Sequence, residues 1–284
     1  MKRKKTLITL FALTLALLGL YTYRNTFLRA KAPEQLEYLS SGQSSGFNMV
    51  SEAMAGEPEK HNKSDIGKNK NGQAFFDFST ETVGAQPKTF TPAVGNWIVG
   101  SDNKNTVLVV DGRKWRRGVA SAGLADKAKA LYGERYAEFL DNVTAYAYYP
   151  FAVAKNVENF NGGEISVRFK AIAGKIDQGA GILFDLKPNG DYYALRANPL
   201  ENNLVLWRYK HGRRSSVNWA RNVKTPSRKW HTLKLTVNGS RIKGYVNNKQ
   251  FMAERLPAPV SGKVGLWTKA DSVVYFDDYQ VNGR

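Results

Sequence analysis

Two stretches of the chain alternate strictly between apolar and polar residues, and this alternation limits the fold more than any other feature. From Glu164 to Ala171, Ile165, Val167, Phe169 and Ala171 share one face and Ser166, Arg168 and Lys170 the other. His231 to Val237 repeats the pattern, with Leu233, Leu235 and Val237 opposed by Thr232, Lys234 and Thr236. A period of two with one polar face describes antiparallel strands buried on one side. Asn238-Gly239 and Asn247-Asn248 then mark two successive hairpins, because both pairs tolerate the positive φ of tight turns. Further strands are expected near Gly95 to Val99, Thr106 to Val110, Ala145 to Val153, Ala180 to Leu186, Tyr192 to Ala197, Leu204 to Tyr209, Val264 to Thr268 and Val273 to Val281. Short apolar runs of this kind, separated by turn residues, predict an all-β antiparallel sandwich. Leu124 to Leu140 departs from the pattern: its Ala, Lys, Glu and Leu favour a short helix between strands, weakened by Gly133.

At 284 residues the chain is long enough for one such sandwich plus a tail. Residues 74–284 are assigned to the sandwich and residues 33–73 to a linker, which is rich in Ser, Gly, Lys, Glu and Asn and has too little apolar surface to offset chain entropy. Residues 1–32 read as a targeting segment. A basic run, Lys2 to Lys5, precedes the uncharged apolar stretch Thr6 to Tyr23, whose helical length of roughly 27 Å matches the hydrocarbon of a bilayer. Two readings stay open: an uncleaved transmembrane anchor, or a signal peptide cleaved near Ala30-Lys31-Ala32. Both place the sandwich outside the cytoplasm, in the periplasm or at the cell surface, with the basic end inside. The absence of cysteine excludes disulfides, thiolate nucleophiles and cysteine zinc sites. Of the net charge of +18, residues 1–32 supply seven positive charges, and residues 33–73 hold six acids and four bases, leaving about +13 on the sandwich. That field favours polyanions. Export argues against nucleic acid as the partner.

Catalytic motifs are sparse. Gly42-Gln43-Ser44-Ser45-Gly46 matches the nucleophile-elbow string but has no strand before it and no helix after it. No phosphate-binding loop or H-E-x-x-H zinc motif is present. His61, His211 and His231 are too scattered for a metal triad, and His231 lies on the apolar side of its strand as a core residue. Trp97, Trp230 and Trp267 read as core or core-rim packing. Trp115, among Arg113, Lys114, Arg116 and Arg117, suits a basic loop, either simply solvated or touching anions.

The segments DQGAGILFDLKPNGDYYALRANPLENNLVLWRY (177–209), WHTLKLTV (230–237) and GKVGLWTKADSVVYFDDYQV (262–281) resemble the 3-keto-disaccharide hydrolase-like, or family-16-glycosidase-like, group of concanavalin-type sandwiches. Gly95 to Val153 resembles the same group more loosely. The resemblance implies a concanavalin-like jelly roll whose concave face handles sugars. The E-x-D-x-x-E strand of true family-16 glucanases is absent, which argues against a β-glucanase mechanism.

Glycoside hydrolysis requires two carboxyl groups on either side of the scissile bond. The carboxyls in the segment that resembles the family are Asp185, Asp191, Glu201, Asp271, Asp277 and Asp278. Asp185 is expected to point off the core, opposite an inward row of Ile182, Phe184 and Leu186. Arg196 and Trp207 would share its face on the next strands, an acid, a base and a ring suited to a sugar. A surface ion pair beside a half-buried indole is the simpler alternative. Gln178, Tyr192, Asn198 and Lys269 complete the candidate ligand-binding set. Asp278 falls on the inward side with Phe276 unless a bulge intervenes, and an inward carboxylate needs donors or a cation. It is therefore the candidate ligand of a structural calcium, backbone hydrogen bonding being the alternative; no other cofactor is expected. The leading functional expectation is an exported, membrane-anchored carbohydrate-recognition domain for a neutral or acidic glycan. A glycoside or 3-keto-glycoside hydrolase and a structural, partner-docking module are the alternatives.

Overall fold

The computed structural model describes residues 73–115, 129–133 and 149–284. Fifteen strands lie in these residues: β1 (Gln73–Phe76), β2 (Phe90–Val94), β3 (Trp97–Asp102), β4 (Asn105–Asp111), β5 (Phe151–Ala154), β6 (Gly162–Ala173), β7 (Ala180–Leu186), β8 (Tyr192–Asn198), β9 (Asn203–Lys210), β10 (Arg213–Arg221), β11 (His231–Asn238), β12 (Arg241–Val246), β13 (Lys249–Arg255), β14 (Lys263–Thr268) and β15 (Val273–Gly283). They form two antiparallel sheets. The first runs β13-β12-β11-β6-β15-β4-β3, with β1 also paired to β15. The second runs β10-β9-β8-β7-β14-β5-β2. The chain changes sheet repeatedly, as in a jelly roll: after β1, β2, β4, β5, β6, β10, β13 and β14.

The core between the sheets follows from the alternation. Ile165, Val167 and Phe169 of β6 and Leu233, Leu235 and Val237 of β11 face it from the first sheet; Ile182 and Phe184 of β7 and Leu195 and Ala197 of β8 face it from the second. The outer side of the first sheet is polar. The outer side of the second is not: Leu183, Tyr192, Ala194, Val205, Trp207, Tyr209, Phe151 and Trp267 form a second buried cluster there. Leu131, Tyr132 and Tyr149, from the chain between β4 and β5, pack against it, and the Tyr132 hydroxyl donates to the Leu186 carbonyl at 3.1 Å. Strands β7 and β14 are accordingly buried on both faces.

Two local departures matter below. Asp185 has a φ of 57° beside a register shift in the β7–β14 pairing. This bulge sends Leu186 to the outer cluster instead of the inward row expected for it. Asp278, at a φ of 47°, sits where the β15–β6 pairing slips between Asp277 and Gln280, so that Phe276 and Tyr279 both face the core. Residues 129–133 form a short helical turn inside the stretch where a helix is expected; the rest of Leu124 to Leu140 lies outside the described residues. So do residues 2–23, on which the targeting segment rests. Among the described residues no helix is long and apolar enough to cross a membrane.

Candidate functional site on the outer face of the second sheet

At the end of the second sheet where the β6–β7 loop, the β8–β9 turn and the β14–β15 turn meet, a charged network closes over the outer face. Arg196, 1% exposed, projects from β8 beside Gly181 of β7. Its Nη1 lies 3.3 Å from Asp177 Oδ2, and its Nη2 donates to Glu201 Oε2 at 2.8 Å and to Asn203 Oδ1 at 2.9 Å. Asp177 also accepts from Lys269 Nζ at 2.9 Å, from Asn198 Nδ2 at 3.1 Å and from the Gly179 amide at 2.7 Å. A Cβ at position 179 would stand 2.7 Å from Arg196 Cδ and 2.8 Å from Asp177 Oδ1, so any larger residue there has to displace the Arg196–Asp177 pair. The loop carrying Asp177 is tied down by Asp271, whose carboxylate accepts from the amides of Lys175, Ile176 and Asp177 at 2.8 to 3.0 Å.

Burial works to raise the Glu201 carboxyl, but the hydrogen bonds from Asn203 and Arg196 and the Arg196 charge outweigh it and hold the group below the usual carboxylate range. Glu201 is therefore ionised at neutral pH, with its second oxygen open to an incoming donor. A glycosidase acid must carry a proton at working pH. Glu201 is tuned in the opposite direction and is not set up as that acid.

The rings are arranged in layers. Tyr192 stacks on Tyr209 at 4.2 Å, and its hydroxyl accepts from Trp267 Nε1 at 3.3 Å. Trp207 is covered by the Arg214 guanidinium, 4.3 Å from the ring centre, with Arg196 5.9 Å away. Trp219 of β10, opposite Val205, meets Trp207 edge to face at 5.6 Å and is 43% exposed. Among the described residues it is the most exposed indole on this face.

The sequence-predicted residues separate accordingly. Arg196, Asn198 and Lys269 converge on Asp177. Gln178 is next to them but serves the loop: its amide donates to the Gly174 carbonyl at 3.0 Å, and its carbonyl oxygen accepts from the Ser227 hydroxyl. Tyr192 and Trp207 share the face with Arg196 but form its floor rather than its contact surface. Asp185 does not belong to the group. Arg196 is level with Gly181, so Asp185 stands four residues further along β7, roughly 13 Å away. There it accepts from the Ser261 amide at 2.7 Å and pairs with Lys187 at 2.9 Å. Its distance along β7 already separates it from Arg196, and the bulge at Asp185 shifts the register there as well. Asp278 is also corrected: it faces outward and pairs with Arg168 at 2.9 Å, so that a guanidinium stands where a cation was expected. Among the described residues no three histidine or acidic side chains converge as a metal site would require. His231 fits its core reading, since Pro226 O at 3.0 Å and Asn247 Nδ2 at 3.2 Å occupy its two nitrogens. Trp230 is a rim residue, donating to Asp102 at 3.1 Å under the Arg168 guanidinium.

Sequence reasoning missed Asp177 and Trp219 and did not assign Glu201 to the site. Asp177 precedes the apolar run of β7 and leaves no periodic trace. Trp219 sits in the polar stretch RRSSVNWAR, where a register shift between Ser216 and Asn218 hides the alternation.

Fold and face together define an antiparallel two-sheet sandwich of jelly-roll form whose second sheet carries a charged and aromatic outer surface. No protein-family profile matches the chain, and no curated protein matches it. Among solved structures it is similar to the carbohydrate-binding module CBM66 from Bacillus subtilis, with a TM-score of 0.48 and 11% identity over 70% of this chain and 98% of that one. It is also similar to a Bacillus licheniformis β-glucanase, with a TM-score of 0.45 and 12% identity over 76% of this chain and 100% of that one. A Bacteroides ovatus family-16 enzyme, solved with a mixed-linkage glucan product, gives a TM-score of 0.47 and 9% identity over 73% of this chain and 99% of that one.

Proposed function

We propose that the sandwich is a carbohydrate-recognition domain that holds a glycan against Trp219 and the Arg196 network. The observation that carries this reading is the exposed Trp219 indole, propped edge-on by the buried Trp207–Arg214 stack, on the same face as a preformed set of charged hydrogen-bonding groups. A sugar offers an apolar face of C–H groups to a ring and hydroxyls to charged partners, and this surface supplies both. The groups are held by one another before a ligand arrives, which lowers the ordering cost of binding. Glu201 and Lys269, the more exposed members of the network, are the hydroxyl partners, and buried Arg196 holds Glu201 in place. The apolar stretch of residues 6–23 supports display of the domain outside the cytoplasm on a membrane anchor.

Proton NMR on the purified protein with a panel of neutral, acidic and 3-keto oligosaccharides tests this directly. Saturation transfer to a bound sugar, lost in Trp219→Ala and weakened about tenfold in Glu201→Gln, is the expected result. New anomeric signals growing over a day would make the protein a hydrolase and overturn the recognition reading.

A further inference from the structure

We propose a second saccharide site, specific for acidic polysaccharide, on the outer face of the opposite sheet. It is independent of the surface carrying Trp219.

The strand register sets out three rows of outward side chains there. Arg241, Asn238 and Gly162 lie level across β12, β11 and β6. Beside them run Lys243, Thr236, Glu164 and Asn282, which reaches β15, and then Tyr245, Lys234, Ser166 and Gln280. Gly162, at the β6 end of the first row, contributes no side chain, and the adjoining Gly163 lines the depression at that end. The result is a groove of about 550 Å³ bordered by Glu164, Arg241, Lys243, Tyr245 and Arg284.

The charge in the groove is unbalanced. Glu164 pairs with Lys234 at 3.5 Å, and Arg284 donates to Asn238 at 3.3 Å. Arg241 and Lys243 are both exposed and make no ion pair among the described residues. They stand two residues apart on the same face of β12, roughly 7 Å from one another, where like charges repel. An anionic ligand relieves that repulsion. The remaining lining points to the kind of anion: the amides of Asn238 and Asn282, the Thr236 hydroxyl and the side of the Tyr245 ring not covered by Lys234 Nζ, which stands 5.0 Å from its centre, are neutral donors, acceptors and apolar surface that suit sugar hydroxyls and C–H faces. A bilayer surface meets charges that project from a convex patch. Here they border a depression crossing several strands, which a flexible chain enters and a membrane does not. The ligand class that fits is a uronate-bearing polysaccharide.

The test is calorimetric titration of the full-length protein with oligogalacturonate at low and high salt. Binding is expected to weaken as salt rises. The double variant Arg241→Ala/Lys243→Ala should weaken it about tenfold or more. The control Lys210→Ala/Lys224→Ala, which removes the same charge from exposed positions outside the groove, should change it less than about twofold. Trp219→Ala should leave oligogalacturonate binding intact, and the Arg241/Lys243 variant should leave neutral-glycan binding intact, which separates the two sites. Equal losses in the groove and control variants would show a general field rather than a site. Unchanged affinity in the groove variant, or capture of phosphatidylglycerol vesicles without oligogalacturonate, would also overturn the proposal.

Discussion

Asp277 is a carboxyl that the fold works against. It is buried beside Asp278, and burial first, then the Asp278 charge, push it up to about 6, although Asn105, the Asp278 amide and Arg168 pull the other way. An unfolded aspartate titrates near 3.9. The folded state thus holds this proton more tightly than the unfolded state does. Below about pH 4 both states are protonated and the group costs nothing; as pH rises from about 4 to 6 the native state becomes progressively disfavoured, and it stays so above. Asp277→Asn removes that penalty while keeping a polar partner for Asn105. It should stabilise the protein by on the order of 2 kcal/mol at pH 7 and by little at pH 4, as read from urea unfolding at the two values. Destabilisation at pH 7 would mean that the contact with Arg168, 3.8 Å away, outweighs burial. Single residues are also where the sequence misleads. Counting in twos puts Asp185 off the core and, unless a bulge intervenes, Asp278 on the core side, and each adopts a positive φ that breaks the count. Neither is glycine, so composition gave no warning of either bulge.

At the scale of the element, a strand's surroundings decide how much of it can be read. Strands β6 and β11 have one wet face, and their alternation places them with the correct inward residues. Strands β7 and β14 are buried on both sides, and their sequences AGILFDL and KVGLWT read as continuous apolar runs. Such runs reveal a strand but not which half of it meets the main core. Strand β10, polar and bulged, was not expected, and with it went Trp219. The consequence for β14 can be measured. Trp267 is fully buried, stacks near Tyr149 at 5.9 Å and bonds Tyr192, and it lies on the outer side of the sheet. Were that face open to solvent, truncating it would cost little. Because it is a second core, Trp267→Ala should cost about 3–5 kcal/mol in chemical denaturation, as for a central core aromatic.

Across the whole molecule the two sheets divide the work. The second turns its outer side to the layer of Leu131, Tyr132 and Tyr149 and, at one end, to the Trp219 surface. The first turns a basic, grooved side outward. With about +13 on residues 74–284, long-range attraction brings polyanions to the molecule generally, and local geometry decides where they stay. If both proposed sites are filled at once, light scattering from the protein mixed with a neutral glycan identified by the NMR panel and with polygalacturonate should rise above the value for either polymer alone. Trp219→Ala and Arg241→Ala/Lys243→Ala should each abolish the excess while leaving one binding event intact. On the two proposals together the two-sheet build would have a mechanical meaning: with openings on opposite sides of a single core, one copy of the chain would have a valence of two and act as a rivet between unlike strands of a polymer matrix, with no need to dimerise.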